Sequence, residues 1–336
     1  MKILLIAGGW SPERDVSLTG ARGIEKALLS LGHEVLPYDP EFSLDGLFAA
    51  ASQTDFAFIN LHGSPGEDGL IQAMLESIGC PYQGSGPAGS FLALNKAAAK
   101  QIFRDRGLST ADWVLLPKRP PAGWKPDFPF PVFIKSNIGG SSLNMEKVET
   151  PEDLEAALDR LFAQGGEYIV EPAITGTELT CGILGIPGGG EEALPPILIR
   201  SKDPGGVFDY ANKYSDDGAE EICPAPLPEA DLNAVGETAL AAHRVLGLAG
   251  YSRADFILGN DGRLYLLEVN TLPGMTPNSL IPKAAKAVGL SYARMVERLI
   301  VLGVEAHLAR CAGKPRQAKA LVDTDGSVVP DILNNA

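Results

Sequence analysis

The stretch Ser252–Asn270, SRADFILGNDGRLYLLEVN, holds two apolar runs, Ser252–Leu258 and Leu264–Asn270, on either side of Asn260-Asp261-Gly262. Those three residues supply the turn chemistry of a tight connection, so the stretch is predicted to be a β-hairpin. Side chains alternate across a strand, which puts Arg253 and Asp255 on one face of the first strand and Glu268 and Asn270 on one face of the second. Phe256, Ile257, Leu258, Leu264, Leu266 and Leu267 mark the sheet as buried, where an unpaired carboxylate is costly. Two readings follow: a solvated charged face, or an oxygen set around a divalent cation. Mg²⁺ takes a few protein oxygens and completes its shell with nucleotide phosphates and water, and Asp255, Glu268 and the Asn270 amide offer such a set.

Outward from the hairpin, the chain alternates strands and helices. Ile3–Ala7 reads as a strand, Gly8–Arg14 as a Gly-rich turn, Val16–Leu31 as a helix and Glu34–Tyr38 as the next strand, a βαβ opening. Asp55–Leu61 is a further strand, followed by the loop His62–Gly69 and the helix Leu70–Ile78, so a small parallel sheet is expected to about residue 94. Lys96–Arg106 reads as a helix, the Pro-rich link Pro117–Pro131 as a boundary, and Val132–Lys135 as the strand after it. Beyond lie the helix Pro151–Phe162, the strands Tyr168–Glu171, Glu178–Ile186 and Ile197–Arg200, the aperiodic loop Asp203–Asp217, and the helices Glu229–Leu246 and Tyr292–Leu302. The fold class is mixed α/β (α+β). Four segments are expected: an N-terminal domain over residues 1–94, a central one over 95–180, a C-terminal one over 181–310, and an extension over 311–336.

At 336 residues and 45% hydrophobic, the chain can bury several cores. A formal net charge of −14 disfavours nucleic acid or an anionic membrane as partner. Cys80, Cys181, Cys223 and Cys311 lie far apart without metal-ligand spacing, which reads as reduced thiols in a cytosolic protein. No apolar run approaches the roughly 20 residues of a membrane span.

Several polar residues sit where strands end. Lys135 closes a strand ahead of Gly139-Gly140-Ser141-Ser142, where a cation and backbone N–H groups can meet a phosphate, although such turns are common and this one is neither GxxxxGK[ST] nor GxGxxG. Lys96, at a helix start, reads by itself as a solvated surface lysine. His62 stands in the loop His62–Gly69, which is either a tight turn or a polar rim over the sheet's crevice. Glu13 offers a carboxylate to an ammonium group, or simply suits the first turn of a helix.

Six motifs in order resemble the D-alanine–D-alanine ligases of the ATP-grasp superfamily: GGWSPERDVSL (Gly8–Leu18), HGSPGEDGLIQ (His62–Gln72), GCPYQGSG (Gly79–Gly86), DYANKY (Asp209–Tyr214), RADF (Arg253–Phe256) and EVNTLPGMTPNSLIP (Glu268–Pro282). The resemblance, from Gly8 to about Leu302, implies an ATP-grasp fold with a Rossmann-like N-terminal domain, a small central α+β domain and a C-terminal antiparallel sheet. It implies that Lys96, Lys135, Glu171, Glu178 and Lys213 bind ATP, and that Asp255, Glu268 and Asn270 hold two Mg²⁺ ions, for which Mn²⁺ can substitute. It further implies that Glu13, with Ser141 and Tyr214, orients the first D-alanine near His62. Arg253 and the Gly274 N–H then stabilise the oxyanion, and Ser279 and Leu280 hold the second carboxylate. A cytoplasmic homodimer acting on two D-alanine molecules in peptidoglycan precursor synthesis is the implied setting. Ser136 stands after Lys135 where the family usually has proline, Leu143-Asn144 where it has a small apolar residue and glycine, Asn212 where it has alanine, and Val207-Phe208 where it has an aromatic pair. The sequence leaves two competing readings: an ATP-grasp ligase forming another amide bond, and a catalytically silent nucleotide-binding protein.

Overall fold

The structure is a computed structural model that describes residues 1–139, 145–201 and 219–312. Strand β1 (Lys2–Ala7) is almost wholly buried, and helix α1 (Arg14–Ser30) carries the chain over to β2 (Glu34–Tyr38). After α2 (Asp45–Ala51) comes β3 (Phe56–Asn60), and the three strands form a parallel sheet in the order β2-β1-β3. Helices α3 (Leu70–Ser77) and α4 (Pro87–Leu94) follow, the second opened by a proline at its first position, where a missing N–H costs nothing.

Helix α5 (Lys96–Asp105) starts cleanly because the Asn95 side chain accepts the Ala98 N–H at 3.0 Å, satisfying one of the orphan donors of the first turn. Strands β4 (Val114–Leu116), β5 (Val132–Ser136), β6 (Met145–Val148) and β7 (Tyr168–Pro172), with helix α6 (Pro151–Phe162) between the last two, make a four-stranded antiparallel sheet in the order β4-β7-β5-β6. Its own core joins Val132, Ile134 and Val170 to Leu154, Leu158 and Leu161 of α6.

A third sheet is built from β8 (Gly176–Gly185), β9 (Glu191–Ala193), β10 (Ile197–Ser201), β11 (Ala219–Ile222), β12 (Tyr251–Gly259) and β13 (Leu264–Asn270), ordered β11-β10-β8-β12-β13 with β9 on β8. Helix α7 (Glu229–Val245) covers one face, and Ala99 and Phe103 of α5 join the same core. The helix that opens the sequence-expected central segment therefore packs on the last sheet. Strand β8, which straddles the expected boundary at residue 180, pairs along its length with β12. Hydrophobic burial fixes both memberships, and a boundary drawn from composition does not register it.

Two helices close the described chain, α8 (Leu280–Ala287) and α9 (Tyr292–Ala312). Helix α9 runs past the expected end at Leu302 because Gly303 lets it lie against the first domain: a Cβ there would stand 2.5 Å from the Tyr82 carbonyl oxygen and 2.7 Å from the Phe56 ring. Met295, Val296 and Leu299 of α9 share a core with Ile3, Leu4 and Phe58, so the last described helix seals the first strand. All four cysteines are free thiols.

Candidate active site

The loops at the ends of β1 and β3 are pinned together by polar contacts. Gly8, at φ +95°, donates its N–H to Ser17 Oγ at 2.7 Å, and Asn60 Nδ2 donates to the Ser17 carbonyl at 2.7 Å. Arg14 forks onto Asp39 with contacts of 3.0 and 2.6 Å. This frame holds Glu13 at the N-cap of α1, at the helix start that the sequence suggested, and buries it. His62 is buried beside it, and burial above all pushes its imidazole below the usual range, with the Glu13 charge opposing and Arg253 adding to the fall. Among the described residues, His62 Nε2 has no hydrogen-bond partner. Glu67, four positions on, accepts the Gly63 N–H at 2.7 Å. Burial and the neighbouring Glu13 push its carboxyl up to about 8, so it is protonated at neutral pH.

Across from these loops stands the β12–β13 hairpin. Arg253 pairs with Asn270 and Asp255 with Glu268 across the strands, so the four side chains converge as the alternation predicts. The register then slips: Phe256 pairs with Leu266, and Leu267 falls between the pairs as a β-bulge. The bulge lets Leu266 enter the core with Phe256 while Glu268 faces the opposite side, which an unbroken period of two would forbid. Arg253 donates to Asp255 through Nε at 2.9 Å and a terminal nitrogen at 2.7 Å; Thr180 Oγ1 at 2.6 Å and Asn270 Nδ2 at 3.1 Å complete the carboxylate's shell. Glu268 is ion-paired to Lys96 at 3.2 Å, and Lys96 Nζ also donates to the Gly139 carbonyl at 2.6 Å.

The donor chemistry fits a hard divalent cation. Among the described residues no three His, Cys, Asp or Glu side chains gather into a complete metal cage, and the hairpin brings two carboxylates and one amide oxygen. That is a partial shell, of the kind that Mg²⁺ completes with phosphate and water oxygens. Glu67, Lys96, Gly139, Glu268, Asn270 and Thr271 border the cleft in front of it.

A second group of charges lies on the central sheet. Lys135 Nζ stands 2.8 Å from Glu171 Oε2, and Lys100 Nζ stands 2.5 Å from Glu171 Oε1. Burial pushes the Glu171 carboxyl upward, but the two ammonium groups outweigh it and hold it at about 2. Burial likewise acts to lower Lys135, and Glu171, with Glu268 and Glu178 behind it, overrides this and raises it. Glu178 lies on β8, opposite Ile257 of β12. Ser136 continues β5 opposite Tyr168, and Asn137 next to it accepts the Ala97 N–H at 2.9 Å. The strand that carries Lys135 is thus tied to the helix that starts at Lys96.

Gly274 and Ser279 lie together: a Cβ on Gly274 would be 3.1 Å from Ser279 Oγ. Ser279 is the N-cap of α8 and turns its hydroxyl back to Thr276, with Oγ 3.1 Å from the Thr276 N–H and 2.8 Å from Thr276 Oγ1. The first N–H groups of α8, beginning at Leu280, have no side-chain cap, an arrangement suited to a carboxylate. Ser141, Lys213 and Tyr214, together with the Asp203–Asp217 loop and residues 313–336, lie outside or largely outside the described residues. Sequence reasoning missed Lys100, Glu67 and Thr180. Lys100 left a signal in its spacing of four from Lys96 on the same helix, and Glu67 in its place within the motif His62–Gln72.

Residues 102–301 match the family model described as the D-ala D-ala ligase C-terminus. The chain is 62% identical over 306 residues to a D-alanine–D-alanine ligase of Nitratidesulfovibrio vulgaris, covering 91% of this chain and 99% of that protein. It is 40% identical over 309 residues to a D-alanine–D-alanine ligase of Halalkalibacterium halodurans, covering 91% of this chain and all (100%) of that protein. Its fold matches the crystal structure of the Bacillus anthracis D-alanine–D-alanine ligase complexed with ATP at a TM-score of 0.79 and 32% identity, over 92% of this chain and 99% of that one.

Proposed function

The chain belongs to the D-alanine–D-alanine ligase family, and we propose how its residues divide that family's work. It is an ATP-grasp ligase that joins two D-alanines into D-alanyl-D-alanine, forming a C–N bond for peptidoglycan precursor synthesis with ATP as the driving reactant. In our reading Glu13 holds the ammonium of the first D-alanine, with Ser141 and Tyr214 assigned beside it on sequence resemblance and His62 at its edge. The carboxylate of that D-alanine attacks the γ-phosphorus and ADP leaves, giving D-alanyl phosphate. Lys96 and Lys135 attract the phosphates, and Lys213 is assigned to the γ-phosphate on resemblance. Glu178 and Glu171 complete the nucleotide site, Glu171 acting through Lys135 because its carboxylate is turned to the lysines.

Asp255, Glu268 and Asn270 would hold two Mg²⁺ ions, or Mn²⁺ in their place, and ions bound there would offset phosphate charge. The amine of the second D-alanine, its carboxylate on the α8 N-terminus at Ser279 and Leu280, attacks the acyl carbon as inorganic phosphate leaves. Arg253 and the Gly274 N–H take the negative charge that develops on the acyl oxygen. The observation that carries this reading is the convergence of Arg253, Asp255, Glu268 and Asn270 across one strand pair, with Lys96 against Glu268. A cytoplasmic homodimer is proposed on the resemblance; among the described residues no helix is long and apolar enough to cross a membrane. The test is phosphate release from ATP with and without D-alanine, with the product weighed by mass spectrometry. Release driven by another amino acid and not by D-alanine would overturn the substrate assignment.

A further inference from the structure

Lys100 is a lysine that nothing in the proposed chemistry uses. It sits one turn after Lys96 on α5, and its side chain is 1% exposed, against 20% for Lys135. Its ammonium donates to Thr110 Oγ1 at 2.7 Å, and that hydroxyl donates to the Leu266 carbonyl of β13 at 2.7 Å. The Trp113 ring centroid lies 5.9 Å from the ammonium. Held in this way and absent from the cleft's lining, Lys100 is not placed to touch a nucleotide.

What it does touch is Glu171, through the carboxylate oxygen that Lys135 does not hold. A carboxylate between two ammonium groups needs only one of them for neutrality. If Lys135 were the sole partner, its charge would be spent on Glu171, and a phosphate would have to compete for it. With Lys100 in place, Glu171 stays compensated when Lys135 turns away. The wider balance points the same way. Lys96, Lys100 and Lys135 face Glu171, Glu178 and Glu268, and the removal of Lys100 leaves that cluster with an excess negative charge against an incoming polyanion. Buried charges are screened little, so the imbalance is felt at the phosphates.

We propose that Lys100 is a positioning residue: it neutralises and fixes Glu171 from beneath, so that the Lys135 ammonium is released to the ATP phosphates. Its contact with Leu266 through Thr110 also ties Glu171, on the central sheet, to the strand that carries Glu268. The inference rests on Lys135 as a phosphate ligand; an unchanged ATP affinity in Lys135→Met would remove that foundation whatever Lys100 does.

The experiment compares Lys100→Met, Glu171→Gln and the double variant, reading the Kd of a non-hydrolysable ATP analogue and the separate KM values for ATP and D-alanine. Lys100→Met should weaken analogue binding and raise the ATP KM about tenfold or more, with the D-alanine KM within about twofold, since Lys135 is then the sole partner of a buried carboxylate and is held by it. Adding Glu171→Gln should recover most of the loss, because the charge that Lys100 offsets is gone. A Kd unchanged in Lys100→Met, or a loss that Glu171→Gln does not relieve, overturns the proposal and leaves Lys100 a packing residue. Should Lys100→Met alone not fold, Glu171→Gln and the double variant still decide. Their ATP affinities should agree within about threefold, and a wider gap counts against the proposal.

Discussion

Arg253 lays one edge of its guanidinium, Nε and a terminal nitrogen, on Asp255, with contacts of 2.9 and 2.7 Å. In the proposed mechanism Asp255 is a cation ligand, and the guanidinium beside it is the cation that a developing oxyanion would draw on. Arg253→Ala is therefore expected to lower kcat by about 10² to 10³ with ATP binding nearly intact, the usual loss for an oxyanion donor. Steady-state kinetics beside ATP titration checks it, and wild-type turnover would rule the role out. Glu268 is different, since it meets Lys96 at 3.2 Å and is also proposed as a ligand of the cation. Glu268→Gln should abolish Mg²⁺-dependent ATP use, which a titration of phosphate release against Mg²⁺ reads directly. An unchanged Mg²⁺ dependence would contradict the ligand assignment.

Among the elements, the hairpin and the last helix do the positioning. The bulge at Leu267 allows β13 to give Leu266 to the core and Glu268 to the cleft within three residues, so the charged face keeps its register without giving up hydrophobic burial. Helix α9 performs the complementary task, since it holds the first domain, which carries Glu13 and His62, against the body that carries the hairpin. That docking depends on the missing side chain at Gly303, where a Cβ would meet the Tyr82 backbone oxygen at 2.5 Å. Gly303→Ala should lower the unfolding free energy by about 2 kcal/mol, as overpacking against backbone does. A urea titration of the variant beside the wild type measures it, and an unchanged midpoint would mean that the helix shifts at no cost.

For the molecule as a whole, pH sensitivity comes from groups that folding desolvates. His243 of α7 is fully buried with Nδ1 2.7 Å from Ser252 Oγ of β12, and burial lowers its imidazole to about 4. A base depressed in the folded state is neutral there and charged in the unfolded chain, so the unfolded chain binds more protons between that value and about 6.5. Stability from this residue is thus complete above about pH 6.5 and is lost as pH falls toward about 4, to the extent of about 3 kcal/mol. Melting temperatures at pH 7 and pH 5 should differ less in His243→Gln than in the wild type. An equal difference would assign the acid sensitivity to other groups.

Much of this was legible in the amino-acid sequence, because strand alternation, helix starts and turn residues act over a few positions and leave local patterns. The hairpin, its four converging side chains, the βαβ opening, the motifs that carry Glu13, His62 and Ser279, the helix start at Lys96 and the strand end at Lys135 all belong to that class. Other features depended on groups far apart in the chain. Glu171 lies 71 positions beyond Lys100 and Glu268 lies 172 beyond Lys96, and no local pattern announces either pairing. The same holds for the protonated Glu67, the bulge at Leu267 and the docking of α5 and β8 on the last sheet. Each follows from which surfaces are buried together, since burial sets both the cost of a charge and the partner that offsets it. Composition and spacing fixed which groups the chain owns, and the tertiary structure decided which of them share a low-dielectric interior.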